Sequence, residues 1–275
     1  MKFWEFIGSL DRRIIFLIIG LAVFIPLLAP LKLPVITTPT TEDVYNAIDS
    51  LENGSKILVS FEYGPSTQPE IEPMAIALMR QLFRKECQVV GMALWPDGQF
   101  MSTTVFDRTA EQEFGLEWGT DYVNLGFRPG GEAVIKGIAR EFRANYTQDV
   151  RGNSVNDLAI MEGVYSVKDF DFIFSLSAGY PGTVEWVLYA ADPYKIPMSS
   201  GTTAIQVNEV IPYVKGGQIY GILAGMSGAA EYETLVKAPD DATKFMDAQS
   251  IAHLLIVVFI VVGNISYIVQ RRKQN

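Results

Sequence analysis

Two residue types that carry much of enzyme chemistry are nearly missing from this chain of 275 residues: it has one histidine and one cysteine. A lone Cys87 excludes an intrachain disulfide and any cysteine-based zinc cluster. The one histidine, His253, falls in an apolar run near the C-terminus, so a Ser-His-Asp or Cys-His set is not expected elsewhere. Gly-x-Ser-x-Gly, Gly-x-Gly-x-x-Gly and the phosphate-binding loop with its Lys-Ser/Thr are all absent. Metal ligation would fall to carboxylates alone. The close pairs, Asp169 with Asp171 and Asp240 with Asp241, read as solvated charges, and no metal or cofactor is expected.

Basic residues are scarce where they would matter for nucleic acid. Of the 22 Lys and Arg, seven lie at Lys32 or in the tails, whereas of the 31 Asp and Glu only Glu5 and Asp11 do. The stretch between the tails keeps 15 basic and 29 acidic residues, a net charge of −14. Such a surface cannot neutralise a phosphate backbone, so no nucleic acid is expected as a partner.

Charge is missing altogether from Ile14–Leu31 and from Ala248–Gln270. Each run is about twenty residues, roughly 30 Å as a helix, which matches a bilayer core. The sequence therefore divides into a cytoplasmic tail over 1–13, a transmembrane helix over 14–33, a domain over 34–247, a second transmembrane helix over 248–270 and a cytoplasmic tail over 271–275. The first run is read as a signal anchor. The alternative is a cleaved signal peptide, but the stretch is long and no clean Ala-x-Ala site precedes Lys32. Arg12 and Arg13 abut the first run, and Arg271, Arg272 and Lys273 abut the second. Basic residues at both outer flanks place both termini in the cytoplasm and the acidic domain outside, in a plasma (inner) membrane. Within the second run Gly263, Asn264 and Ser266 form a small, polar patch suited to contact with another helix.

The domain alternates strand-like and helix-like segments. KILVSFEY, QVVGMALW, YVNLGF, DFIFSLS, IPMSS and QIYGIL are short apolar runs, each followed by a turn and a helical pattern. Thr41 opens a helix ahead of the first strand, and a further helical pattern carries Val134, Ile138 and Phe142 on one side. Six such units predict an α/β fold: an open, mainly parallel Rossmann-like or flavodoxin-like sheet with helices on both faces. Ile57, Val59, Val89, Val123, Phe172, Phe174 and Ile222 are its expected core.

Two turns share one pattern. AGYPGTVEW (Ala178–Trp186) and AGMSGAAEY (Ala224–Tyr232) both read Ala-Gly-x-x-Gly-x-x-Glu-aromatic. A glycine after the strand, a second glycine opening the helix and a glutamate in the first helical turn make a well-specified strand-to-helix corner. Every such turn emerges at the carboxyl edge of a parallel sheet, where ligands bind. The candidate anion-binding residues there are Gly64, Ser66, Arg128, Gly179, Gly182, Thr183, Ser199, Gly225, Ser227 and Gly228. Glu62, Glu185 and Glu231 are the carboxylates available as acid or base, the latter two also explained as helix caps. The leading expectation is a non-catalytic membrane subunit whose outer domain assembles with itself or with other membrane subunits. The alternatives are a domain that binds or senses a small anion at the carboxyl edge and, below it, a carboxylate-based hydrolase or transferase.

Overall fold

The computed structural model describes residues 11–31 and 33–274. The tail over 1–10, Lys32 and Asn275 lie outside the described residues. The chain divides into two compact units, Met1–Pro34 with Thr243–Asn275, and Val35–Ala242.

In the first unit the N-terminal apolar run folds as helix α1, Arg12–Leu28, with Asp11 accepting from the Arg13 N–H at its start. Its 17 residues span about 26 Å. The helix stops before Pro30, because the residue preceding a proline is pushed out of the α region. The expected span over 14–33 is therefore helical only to Leu28.

The second unit opens with α2, Pro39–Asp49. The helix begins two residues ahead of Thr41 because Pro39 has the right φ for a first turn and no N–H to leave unmet. The chain then runs through β1, Lys56–Glu62, and α3, Gln68–Arg84. Next come β2, Gln88–Ala93, and α4, Gly98–Phe106, which widens into a π-turn over Asp107–Glu113. Strand β3, Tyr122–Phe127, is followed by α5, Glu132–Ile138, and the short α6, Phe142–Asn145. The single helix read through Val134, Ile138 and Phe142 is thus two. Strand β4, Phe172–Ser177, leads to α7, Thr183–Trp186, a second π-turn over Val187–Ala191 and α8, Asp192–Tyr194. Strand β5, Met198–Thr202, α9, Val207–Lys215, β6, Ile222–Ala224, and α10, Gly225–Leu235, complete the domain. Helix α11, Asp241–Gln274, carries the C-terminal apolar run, and its Asp241–Arg271 portion is the one described helix long and apolar enough to cross a membrane.

All six strands are parallel, in the order β3-β2-β1-β4-β5-β6. This is the Rossmann-like order, with the chain reversing its direction of travel between β1 and β4. Both faces are covered. Leu58, Val90, Met92, Val123, Ile173, Met198 and Ile222 point to one face and pack with Ile135, Ile138, Trp186 and Val210 of α5, α7 and α9. Helices α2, α3, α4 and α10 contact one another and cover the other face, where Met74 of α3 lies against Gly201 of β5. The seven expected core residues are all buried. So is Cys87, whose thiol is pushed up to about 11 by burial, as befits a packed side chain and not a nucleophile.

The acid pair at the start of α11 is built into the domain. Asp240 accepts from Arg80 at 2.9 Å and from Arg108, and Asp241 lies 3.5 Å from Arg108. Arg80 also holds Glu113 at 2.6 Å. The reading of Asp240 and Asp241 as solvated charges is corrected: α3 and the π-turn supply arginines whose cost of partial burial is met only by carboxylates. At the other pair, Asp171 accepts from the Lys56 N–H at 2.7 Å and Asp169 caps the turn at Ser166, so these too are occupied.

Phe174 is fully buried in the central strand β4. Phe174→Ala should lower the unfolding free energy of the domain by about 3–5 kcal/mol, the range for large core truncations. A denaturant titration giving a near-neutral change would contradict this strand register.

Candidate functional site

The strand order brings the carboxyl ends of β1 and β4 side by side. Their pairing runs from Ile57 opposite Phe172 to Glu62 opposite Ser177. Ser60 lies opposite Ser175, and Ser175 opposite Ser200; Ser177 lies opposite Thr202. Because side chains alternate along a strand, these residues form two polar rows across one face of the three central strands. Thr183, at the start of α7, covers them.

These hydroxyls bond one another. Thr183 Oγ1 lies 2.5 Å from Ser200 Oγ and donates to Ser175 Oγ at 3.3 Å, and Ser200 Oγ donates to the Ser175 carbonyl at 2.9 Å. Glu62 is the centre of the cluster and is fully buried. Ser60 and Ser175 donate to its carboxyl, the latter at 3.5 Å. Burial in the sheet pushes Glu62 up to about 8, while the hydroxyls of Ser60 and Ser175 and the nearby N–H groups of Trp186 and the Leu94 backbone favour its ionised form. Burial wins, so Glu62 is a neutral acid at pH 7. The Trp186 indole N–H faces this carboxyl but falls short of a hydrogen bond, and the Tyr146 hydroxyl is likewise unpartnered. Tyr146 feels the Glu62 charge, which adds to burial in raising its own pKa.

The turns above this cluster are closed on one another. The Trp95 indole N–H donates to the Pro181 carbonyl at 3.0 Å. A Cβ on Gly179 would lie 3.0 Å from the Trp95 ring, one on Gly64 2.8 Å from the Asp97 carboxylate, and one on Gly98 2.0 Å from the Phe61 carbonyl. At Gly182 a Cβ would lie 2.0 Å from Ser177 Oγ and 2.2 Å from the Gly179 carbonyl. The glycines here permit protein to approach protein. The Gly182 N–H is filled by Glu185 at 2.8 Å and the Ala178 N–H by the Glu62 carbonyl at 2.8 Å. The space left beside Gly179, Thr183 and Gln206 is about 50 Å³. That holds water, whereas small-molecule pockets occupy about 300–1,000 Å³.

The candidate residues separate into groups. Gly64, Gly179, Gly182 and Thr183 gather at the closed turns, and the loop after Arg128 joins them where Gly131 approaches Pro181. Ser66 and Arg128 are exposed at the same edge. Ser199 sits inside β5, paired with Phe174, and its buried hydroxyl is unpartnered. The turn expected at Gly201-Thr202-Thr203 starts later than read, because Gly201 and Thr202 continue the strand. Gly225, Ser227 and Gly228 lie at the start of α10, whose Tyr232 packs on the α3 side, away from Trp186.

The shared pattern of the two corners thus gives two different turns. In the first, Pro181 lacks an N–H and pushes Tyr180 out of the α region, so the helix begins at Thr183 with Glu185 capping Gly182. In the second, Ser227 stands where Pro181 does, and the helix begins at once at Gly225. Glu231 is then in the second turn, and the expectation that it caps its own helix is corrected. Its carboxylate instead takes the Thr38 N–H at 2.9 Å and the Thr38 hydroxyl at 2.6 Å, holding the start of α2.

In the first unit, Asn264 donates to the Ile260 carbonyl of its own helix at 2.8 Å, Gly263 is exposed and Ser266 is buried. A groove of about 420 Å³ lies at the opposite, amino edge of the sheet, beside Met198 and Tyr220. Its polar groups satisfy each other: Asp192 holds Lys195 at 2.8 Å and Gln218 at 3.1 Å. It is the larger space, but the switch point and the buried acid are at the other edge. No protein-family model, curated protein or solved structure matches the chain.

Glu62 makes stability depend on pH with a defined sign. An acid raised from 4.5 to about 8 on folding contributes most below pH 4.5, and its contribution is lost as pH rises through about 8. Glu62→Gln should remove this loss, roughly a few kcal/mol between pH 5 and 8. Parallel pH profiles of melting temperature for the two proteins would show that Glu62 titrates normally.

Proposed function

We propose that the chain is a membrane-anchored, non-catalytic subunit whose acidic α/β domain lies outside the membrane and serves as a protein-interaction module. The observation that supports it is the carboxyl edge. Where a ligand crevice would open in a sheet of this order, the turns are closed, and large apolar side chains stand on top of them. Phe100 is 65% exposed, Tyr180 67% and Ile205 91%, the most exposed large apolar side chain among the described residues. Phe100 stands in the first turn of α4, Tyr180 on the turn after β4 and Ile205 on the turn after β5. Exposed aromatic and aliphatic side chains gathered at one edge mark a contact surface for protein.

The closed turns also weigh against a small anion. The Gly182 N–H is already held by Glu185, and Arg128 is the one base on the turns that leave the strands. The membrane reading combines α11 with the N-terminal run as a signal anchor, both termini in the cytoplasm, in an inner-type membrane. Arg12, Arg13 and Arg271 at the outer flanks support that orientation.

Cysteine reporters at Ser9 and Asn153, in a chain carrying Cys87→Ser, test the topology. Position 153 should label from outside in intact cells and position 9 only after the membrane is opened. The reverse pattern would place the domain in the cytoplasm. The native mass of the full chain in mild detergent tests assembly, and the subunit reading requires a particle larger than one chain or a co-purifying membrane partner.

A further inference from the structure

The same edge carries a charge pattern that selects what docks on it. The turns leaving the six strands and the first turns of the helices that follow carry Glu70, Asp97, Glu132, Glu185 and Glu209 at or near the surface, against the single base Arg128. Glu132 is paired with Lys136 at 2.8 Å, Glu70 accepts the Ala204 N–H and Glu185 the Gly182 N–H. Backbone bonds leave a carboxylate its negative charge, and Asp97 and Glu209 are exposed. Beside them stand the apolar tips. Tyr180 belongs to the turn held by Trp95, and Ile205 precedes Gln206, which lies 3.4 Å from Ser177 at the foot of that turn. The edge is therefore an apolar strip set among acids.

Resting on the interaction-module reading, we propose that the carboxyl edge docks a cationic amphipathic segment of a different protein, its apolar residues covering Tyr180 and Ile205 and its Lys or Arg facing Asp97 and Glu209. A second copy of this chain is a poor occupant. A two-fold contact through this edge sets each acidic patch against its own image, and like charges across an interface oppose association. Charge complementarity fixes register and speeds encounter, while the buried apolar tips supply most of the affinity.

The test uses the full chain in nanodiscs of zwitterionic lipid, with empty nanodiscs as control. Two labelled helical peptides share one leucine pattern, with Lys on the polar face of one and Glu on the other, and binding is read by anisotropy. The Lys peptide should bind, more weakly as salt rises, and the Glu peptide should not. Tyr180→Ala with Ile205→Asp should weaken the Lys peptide by about tenfold or more, while Tyr220→Ala at the opposite edge leaves it unchanged. Asp97→Lys with Glu209→Lys should weaken the Lys peptide and admit the Glu peptide, a readout independent of the apolar pair. All five positions are at the surface, and an unchanged melting temperature checks each variant.

Equal binding of the two peptides, no binding, or indifference to both pairs of substitutions overturns the proposal. A native mass above one chain that falls on Ile205→Asp also overturns it, because a second copy then holds the edge, although the interaction-module reading survives. A wild-type chain that is monomeric, co-purifies with nothing and binds neither peptide fails both.

Discussion

The pairing of β1 with β4 is the constraint on which the domain depends. It joins the two halves of the sheet, and its carboxyl end is polar: Glu62 meets Ser177 there, two residues beyond Ser60 and Ser175. Polar groups buried at the centre of a sheet are costly unless they find partners. Here Ser60, Glu62, Ser175 and Ser200 are matched across three strands and capped by Thr183, with the Thr202 hydroxyl left unpartnered, so the position of α7 is fixed by hydrogen bonds as well as by the packing of Trp186. Protonation meets the remaining demand. A carboxyl that stays neutral avoids the larger penalty of a buried charge.

From that cluster outward the edge is sealed in layers. Gly182 rests on Ser177, Trp95 rests on Gly179 and bonds Pro181, and Gly98 passes close to the Phe61 carbonyl. Each close approach removes volume that a ligand would need, and each brings a turn to a fixed height above the sheet. The tips of these turns are then available for another surface. A fold whose general habit is to bind small molecules at this edge has little open volume beside Gly179 and Thr183, and fold alone does not decide function.

The parallel sheet was legible because its strands are short, continuous apolar runs, the mark of burial on both faces. The order of strands was not, since it rests on long-range pairing that no local pattern encodes. The repeated corner was half legible. Its glycines marked strand-to-helix turns, but one residue, Pro181 against Ser227, sets where each helix begins and so whether Glu185 or Glu231 can cap it. Ser199 looked like a turn residue because β5 is rich in Ser and Gly, residues common in turns, which its neighbours hold in the ladder. The acids Asp240 and Asp241 looked solvated because their partners Arg80 and Arg108 are over a hundred residues away.

A carboxyl edge closed over a neutral, buried Glu62 is tested most directly by the infrared carbonyl band of that side chain. Difference spectra against Glu62→Gln should show a protonated carboxyl at pH 7 whose band disappears as pH passes about 8. A carboxylate already ionised at pH 5 would mean that solvent or a counter-charge reaches Glu62, and the edge would then be an open site.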